Sequence, residues 1–209
     1  EEGSRGIHDS QYNLLSKLAP VTNVNDSLVM AQYEGYLDEE NISKDSKTET
    51  YAALKLFIDN ERWQGVPFFI RTGKKMKTRE TQVVVQFKAV GDTPGNVLII
   101  KIQPDEGVYF QFNAKKPGTE QELQQISLDF CQSCILENKI NTPEAYERLL
   151  DACFKGERAL FSQWDQIVVS WTFVNELLAK YYEQGAPMYT YKQGSMGPGK
   201  ANEFVDWIR

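Results

Sequence analysis

Phe68-Phe69-Ile70-Arg71-Thr72-Gly73-Lys74-Lys75-Met76-Lys77-Thr78-Arg79 decides how this chain is read. An apolar run from Val66 to Ile70 reads as a strand and stops at a charged segment. Five of the nine residues from Arg71 to Arg79 are cationic, and a second strand-like run, Thr81 to Phe87, follows directly. Strand, basic connection, strand is how a sheet carries positive charge at its rim. Gly73 removes the bar to positive φ and lets backbone approach a ligand. Lysine offers a point charge and arginine a planar fork, and both match phosphate oxygens. The residues alone favour a plainer reading, a solvated hairpin whose lysines keep a sheet edge soluble.

Working outward, turn-bounded apolar segments predict about seven strands. Upstream lie Leu28 to Tyr33 and the alternating Thr48 to Ile58. Downstream of Thr81 to Phe87, the turn Gly91-Asp92-Thr93-Pro94-Gly95 leads into Val97 to Gln103. Pro104 to Gly107 turns that run into Val108 to Phe112, and Leu123 to Phe130 closes the series. The pattern then changes to helical spacing. Thr142 as N-cap and Pro143 at the first position start one helix, with Tyr146, Leu149, Leu150 and Cys153 in register and Gly156 as the stop. Asp165 to Tyr182 makes a longer one, with Ile167, Trp171, Val174, Leu178 and Tyr181 as a stripe expected to face the core. Tyr189 to Lys200 reads as a glycine-rich loop without phosphate-loop spacing, so no nucleotide site is assigned to it. A terminal helix is expected over Ala201 to Ile208. Residues 1–10 are expected to be disordered or vector-derived, with a short helix over Gln11 to Leu18. The domain reading is therefore an N-terminal segment, 1–19, vector-derived or partly disordered, and one domain over 20–209.

Strands first and helices last imply an α+β fold: a large, mainly antiparallel β-sheet with helices packed on one face. There is no alternating βαβ pattern and no GxGxxG after a strand, so the dinucleotide-binding unit of an oxidoreductase is absent from this sequence.

Composition narrows the ligand. The 209 residues carry a net charge of −6, with 41% hydrophobic and 25% charged residues, and a pI near 5.0. An acidic protein with one local basic cluster suits a small anion better than nucleic acid. Three cysteines, Cys131, Cys134 and Cys153, make no disulfide framework and suggest a reducing compartment. Cys131-x-x-Cys134 lacks a second pair, and two sulfurs do not fill a tetrahedral metal site, so no metal is expected. His8, the single histidine, is far from them in sequence. No run of about 18 apolar residues suggests a membrane span, and the start lacks a signal-peptide core.

A set of ordered motifs carries a family resemblance. They are Gln32-Tyr33-x-Gly35-Tyr36, Thr48-Glu49-Thr50, Arg62-Trp63-x-Gly65-Val66-Pro67-Phe68, Arg71-Thr72-Gly73-Lys74 and Gln103-Pro104-Asp105-Glu106-Gly107. Asn113-Ala114-Lys115-x-Pro117-Gly118 and Pro143-Glu144-Ala145-Tyr146-Glu147-Arg148 follow. Over roughly residues 20–208 the chain resembles the C-terminal α+β domain of glucose-6-phosphate dehydrogenases. The resemblance implies oxidation of glucose 6-phosphate to its lactone with reduction of NADP, in the oxidative pentose phosphate pathway of the cytoplasm. It also implies that the catalytic base and the nucleotide-binding glycines lie in an N-terminal Rossmann domain. None of those is in this chain, so catalytic residues here are none, and the chain alone is expected to be inactive.

Residue by residue, Lys74 matches the family lysine at the substrate and coenzyme cleft. Arg79 matches a position, lysine or arginine in the family, that contacts the substrate, and Gln103 matches a glutamine placed near the sugar. Two-residue alternation predicts a shared face for Lys101 and Gln103. For Lys75 and Lys77 the solvated edge remains the expectation. Some family members bind a second, structural NADP on this domain, and Arg71, Lys101 and Tyr109 fit that pattern. Glu80 and Val84 stand where those members carry basic residues, and a carboxylate at Glu80 repels a 2′-phosphate, so NADP is expected mainly on the missing domain. The family associates through the exposed face of this sheet, so a homodimer is expected. The alternative is a non-catalytic sheet domain that serves oligomerisation only.

Overall fold

The computed structural model describes residues 2–104, 106–118, 122–131, 145–204 and 207, the side chains of 2–5 and 145 excepted. The expected Thr142 cap and Pro143 start, Cys134, and most of the end of the terminal helix fall outside those residues. By internal contacts the chain divides into two compact units, one of Glu1–Lys77 with Ala145–Trp207, the other Thr78–Glu144.

The first unit is built on β1 (Leu28–Tyr33), whose six residues are all buried. A strand buried on both faces has no polar alternation to show. β2 (Tyr51–Leu56) pairs antiparallel with β1, and β3 (Phe68–Gly73) pairs antiparallel with β2. On one face Leu28 and Met30 pack with Val21, Val24, Leu177 and Tyr181, the last two from a long helix. On the other face Val29, Ala31 and Tyr33 pack with Tyr51, Ala53, Tyr191 and Ala201. A full core residue of this kind contributes about 1.5–3 kcal/mol by leaving water, which makes β1 the anchor of the unit.

The second unit is a four-stranded antiparallel meander: β4 (Thr81–Gln86), β5 (Val97–Gln103), β6 (Gly107–Lys115) and β7 (Leu123–Cys131). The alternation Gln82, Val83, Val84, Val85, Gln86 is that of a sheet with two unlike faces. The register makes two apolar rows across all four strands, Val83–Ile100–Val108–Phe130 and Val85–Leu98–Phe110–Leu128.

Three helices complete the described chain: α1 (Glu2–Leu15), α2 (Ala145–Lys155) and α3 (Trp164–Glu183). An eighth strand, β8 (Tyr189–Tyr191), runs parallel to β1 and closes the first sheet in the order β3-β2-β1-β8. No helix among the described residues is long and apolar enough to cross a membrane. The α+β class expected from the sequence is present, with its strands paired as two four-stranded sheets rather than one large one.

Other expectations are corrected. Residues 2–10 are helical instead of disordered. His8, only 5% exposed, supplies the reason. The amide nitrogen of Gln166 on α3 lies 3.1 Å from the His8 carbonyl, 3.0 Å from Gln11 Oε1 and 3.3 Å from His8 Nδ1, while Nε2 lies 3.2 Å from the Arg158 carbonyl. Packing of this kind overrides the low helix propensity of Gly3 and Gly6. The inward face of α3 also differs. Gln166, Leu177 and Tyr181 are buried, whereas Ile167, Trp171 and Val174 are exposed. α3 is apolar on more than one side, so spacing alone does not select the buried one. The glycine-rich loop begins with a strand, and a 3-10 turn, Gly199–Glu203, stands in the region read as a terminal helix. Cys131 is disulfide-bonded, so the low cysteine count does not leave every thiol free; Cys153 is free and exposed.

Candidate functional site

The basic connection leaves the end of β3 under close restraint. Lys74 N–H donates to the Thr50 carbonyl at 2.8 Å, and the Lys74 carbonyl accepts from the Tyr191 hydroxyl at 2.8 Å. The Lys74 side chain is left exposed. Lys75 carries a φ of 47°, in the left-handed region that non-glycine residues avoid. Its carbonyl accepts from Gly194 N–H at 2.8 Å, and Lys77 N–H donates to the Ser195 carbonyl at 2.8 Å. Its ammonium bonds the Glu39 carboxylate and sits 4.5 Å from the centre of the Tyr33 ring. Burial, then Glu39, push Tyr33 above the ordinary tyrosine value. Lys75, then Tyr33, hold Glu39 below the ordinary carboxylate range.

Gly73 has a different role from the one expected. Its φ is not positive; the left-handed residue of this turn is Lys75. A Cβ at Gly73 would stand 2.8 Å from the Tyr51 ring and 2.9 Å from Met76 Sδ. The glycine admits those two side chains. Lys75 likewise is no merely solvated edge cation. Arg71, on β3, lies 4.6 Å from the Trp207 ring centre, and Trp207 packs edge-on against Phe69.

In the second unit Arg79 is exposed just before β4. Gln103 pairs with Thr81, so it lies at the same end of this sheet as Arg79. Lys101 pairs with Gln82, although Gln103 pairs with the adjacent Thr81. β5 therefore has one residue more than β4 at this point, and such a bulge reverses the alternation. By that register Lys101 and Gln103 do not share a face. Lys101 and Tyr109 do, and Lys101 Nζ lies 4.9 Å from the Tyr109 ring centre. A concavity of about 290 Å³ opens beside them, lined by Ile100, Lys101, Ile102, Glu106, Gly107, Val108 and Phe130.

Arg71 falls in the first unit, and Lys101 and Tyr109 in the second. In one unit Arg71 lies over Trp207, and in the other Lys101 lies over Tyr109. The Glu80 carboxylate beside β4 accepts from the Thr78 hydroxyl at 2.9 Å and adds negative charge.

The family model for the C-terminal domain of glucose-6-phosphate dehydrogenase matches residues 2–207. The chain belongs to the glucose-6-phosphate dehydrogenase C-terminal domain family. Membership of this domain family extends to the helix α1 region. Glucose-6-phosphate 1-dehydrogenase of Bacillus subtilis is 39% identical over 220 residues, covering 95% of this chain and 45% of that protein. The enzyme of Aggregatibacter actinomycetemcomitans is 38% identical, covering 97% and 44%. A solved glucose-6-phosphate dehydrogenase in complex with its substrate glucose-6-phosphate superposes with a TM-score of 0.86 at 32% identity, over 99% of this chain and 46% of that one. The Mycobacterium avium enzyme gives 0.80 at 28% identity, over 99% and 45%. The chain thus spans less than half the length of these relatives.

The residues that sequence reading missed are Tyr191, Thr50, Glu39 and Trp207. Each reaches a predicted residue by a contact long in sequence, for which no local pattern exists.

Proposed function

We propose that this chain forms the substrate-cleft and dimer-forming part of a glucose-6-phosphate dehydrogenase. The longer polypeptide oxidises glucose 6-phosphate to 6-phosphogluconolactone and reduces NADP. In this reading Lys74, Arg79 and Gln103 contact the sugar phosphate, the cation Lys74 answering its negative charge. The hydride acceptor and the base that takes the C1 hydroxyl proton belong to an N-terminal Rossmann domain outside this chain, and Arg71, Lys101 and Tyr109 lie on the coenzyme side. Residues 2–207, the span of the family match, act as one functional domain, in the cytoplasm. The observation that carries the reading is an exposed Lys74 side chain on a backbone hydrogen-bonded at both N–H and carbonyl. A solved relative bearing glucose-6-phosphate, alike over 99% of this chain, supports the choice of substrate.

In the full-length enzyme Lys74→Ala raises KM for glucose 6-phosphate and lowers kcat/KM by about tenfold to a hundredfold, the worth of one charge-assisted contact. Steady-state kinetics test this, and unchanged constants remove Lys74 from the site. The 209-residue chain alone reduces no NADP; turnover by the pure fragment would contradict the proposal.

The oligomer is a homodimer through the second sheet. Its apolar rows leave Val83 46%, Leu128 62% and Phe130 64% exposed, and contiguous apolar surface of this kind marks an interface.

A further inference from the structure

We propose that Tyr191 and Lys75 are positioning residues for Lys74: they fix the backbone from which the substrate-facing ammonium projects. The inference rests on the reading of Lys74 as a substrate contact.

A lysine ammonium rides on a flexible stem, so a useful point charge needs at least a fixed origin. The ladder holds only the Lys74 N–H, bonded to the Thr50 carbonyl at 2.8 Å, because β3 ends at Gly73. Tyr191 takes over there. Its side chain is 3% exposed, and its ring is packed against Tyr33 and Tyr51 at centroid distances of 6.3 and 5.4 Å. The hydroxyl lies 2.8 Å from the Lys74 carbonyl, 3.1 Å from the Thr50 carbonyl and 3.2 Å from Thr50 Oγ1. One buried phenol so joins the residue before β2 to the residue after β3.

Lys75 fixes the direction in which the chain then departs. Its left-handed φ of 47° persists only where surroundings over-determine it. Glycine would adopt that conformation without the cost. A lysine adopts it here with its carbonyl bonded by Gly194, and with its ammonium bonded to Glu39 and lying over Tyr33. The arrangement makes the turn rigid where a glycine would leave it free, and the side chain beside it is Lys74.

The test is a double-mutant cycle on the full-length enzyme, reading KM for glucose 6-phosphate and kcat separately. Tyr191→Phe keeps the ring and removes the hydroxyl. It raises KM about fivefold to tenfold, the worth of one hydrogen bond, and changes kcat less. In a Lys74→Ala background the same substitution adds nothing, because the residue acts through Lys74. Lys75→Ala, at a side chain 43% exposed, gives the same pattern should Tyr191→Phe fail to fold. Lys75→Arg, which keeps the charge and the ring contact, restores KM. An unchanged KM in the folded variants overturns the inference. So does an equal rise with and without Lys74, which is the signature of general destabilisation. If Lys74→Ala itself leaves KM unchanged, the substrate reading has failed, and the positioning roles fall with it.

Discussion

Three buried or half-buried tyrosines show how one residue type serves different ends. Tyr191 shares its one hydroxyl proton between two backbone carbonyls, at 2.8 Å from Lys74 and 3.1 Å from Thr50, whereas the hydroxyl of Tyr51, 1% exposed, finds no partner among the described residues. Tyr51→Phe is therefore neutral or stabilising by up to about 1 kcal/mol in thermal unfolding, since an unsatisfied buried hydroxyl costs rather than helps. Burial pushes Tyr51 and Tyr181 up to about 12 from 10.0. A group whose folded value is raised stabilises fully below the unfolded value and stops doing so as pH climbs through the folded one. Stability thus falls between pH 10 and about 12, and Tyr51→Phe shallows that fall in a pH series of Tm. Glu39 has the opposite sign. Lys75 depresses its carboxyl below 4.5, so its contribution is present above 4.5 and disappears as acid titrates the folded group. The Tm difference between wild type and Glu39→Gln closes in that acid range; a difference that persisted at pH 2 would exclude the pairing.

At the level of elements, legibility followed periodicity. Thr81 to Phe87 was readable because its faces differ, and the turn-bounded Val97 to Gln103 was readable as a strand. The bulge within it was not, since nothing in Ile102 or Gln103 announces an unpaired residue. β8 has three residues and no period, and its pairing is to β1, more than 150 positions earlier. α1 was hidden by its glycines and is supported by a contact with α3 that no local window contains. Gln166→Ala strips His8 and Gln11 of that amide and destabilises by about 1–3 kcal/mol. Hydrogen exchange across residues 6–15 should rise first, and exchange that rises uniformly over the chain would contradict a local tie. Gly197 is a second element-scale constraint. A Cβ there would lie 2.3 Å from the Tyr51 ring on a backbone with φ of 102°. Gly197→Ala therefore costs about 2–4 kcal/mol in urea unfolding, combining overpacking with backbone strain.

For the whole molecule, the motifs told more than the physics of composition. Net charge and pI pointed to a small anionic ligand, but only the ordered motifs pointed to a sugar phosphate. The strands over 81–87 and 97–103 were legible as half-exposed, whereas the rows that β6 and β7 complete follow only from the register. Sedimentation of the full-length enzyme should give a dimer, and Val85→Lys with Leu128→Lys should give monomers with both sheets intact by circular dichroism. A wild-type monomer at micromolar concentration would refute the proposed interface.

The hydroxyl that steadies Lys74 comes from a residue 117 positions later. A ribosome adding about 5–20 residues per second delivers it roughly 6–23 s after the lysine itself. During synthesis the Lys74 carbonyl exists without that hydrogen bond, so the proposed affinity for a sugar phosphate would arrive only after Tyr191. A nascent chain halted before that point would display the charge and lack the grip.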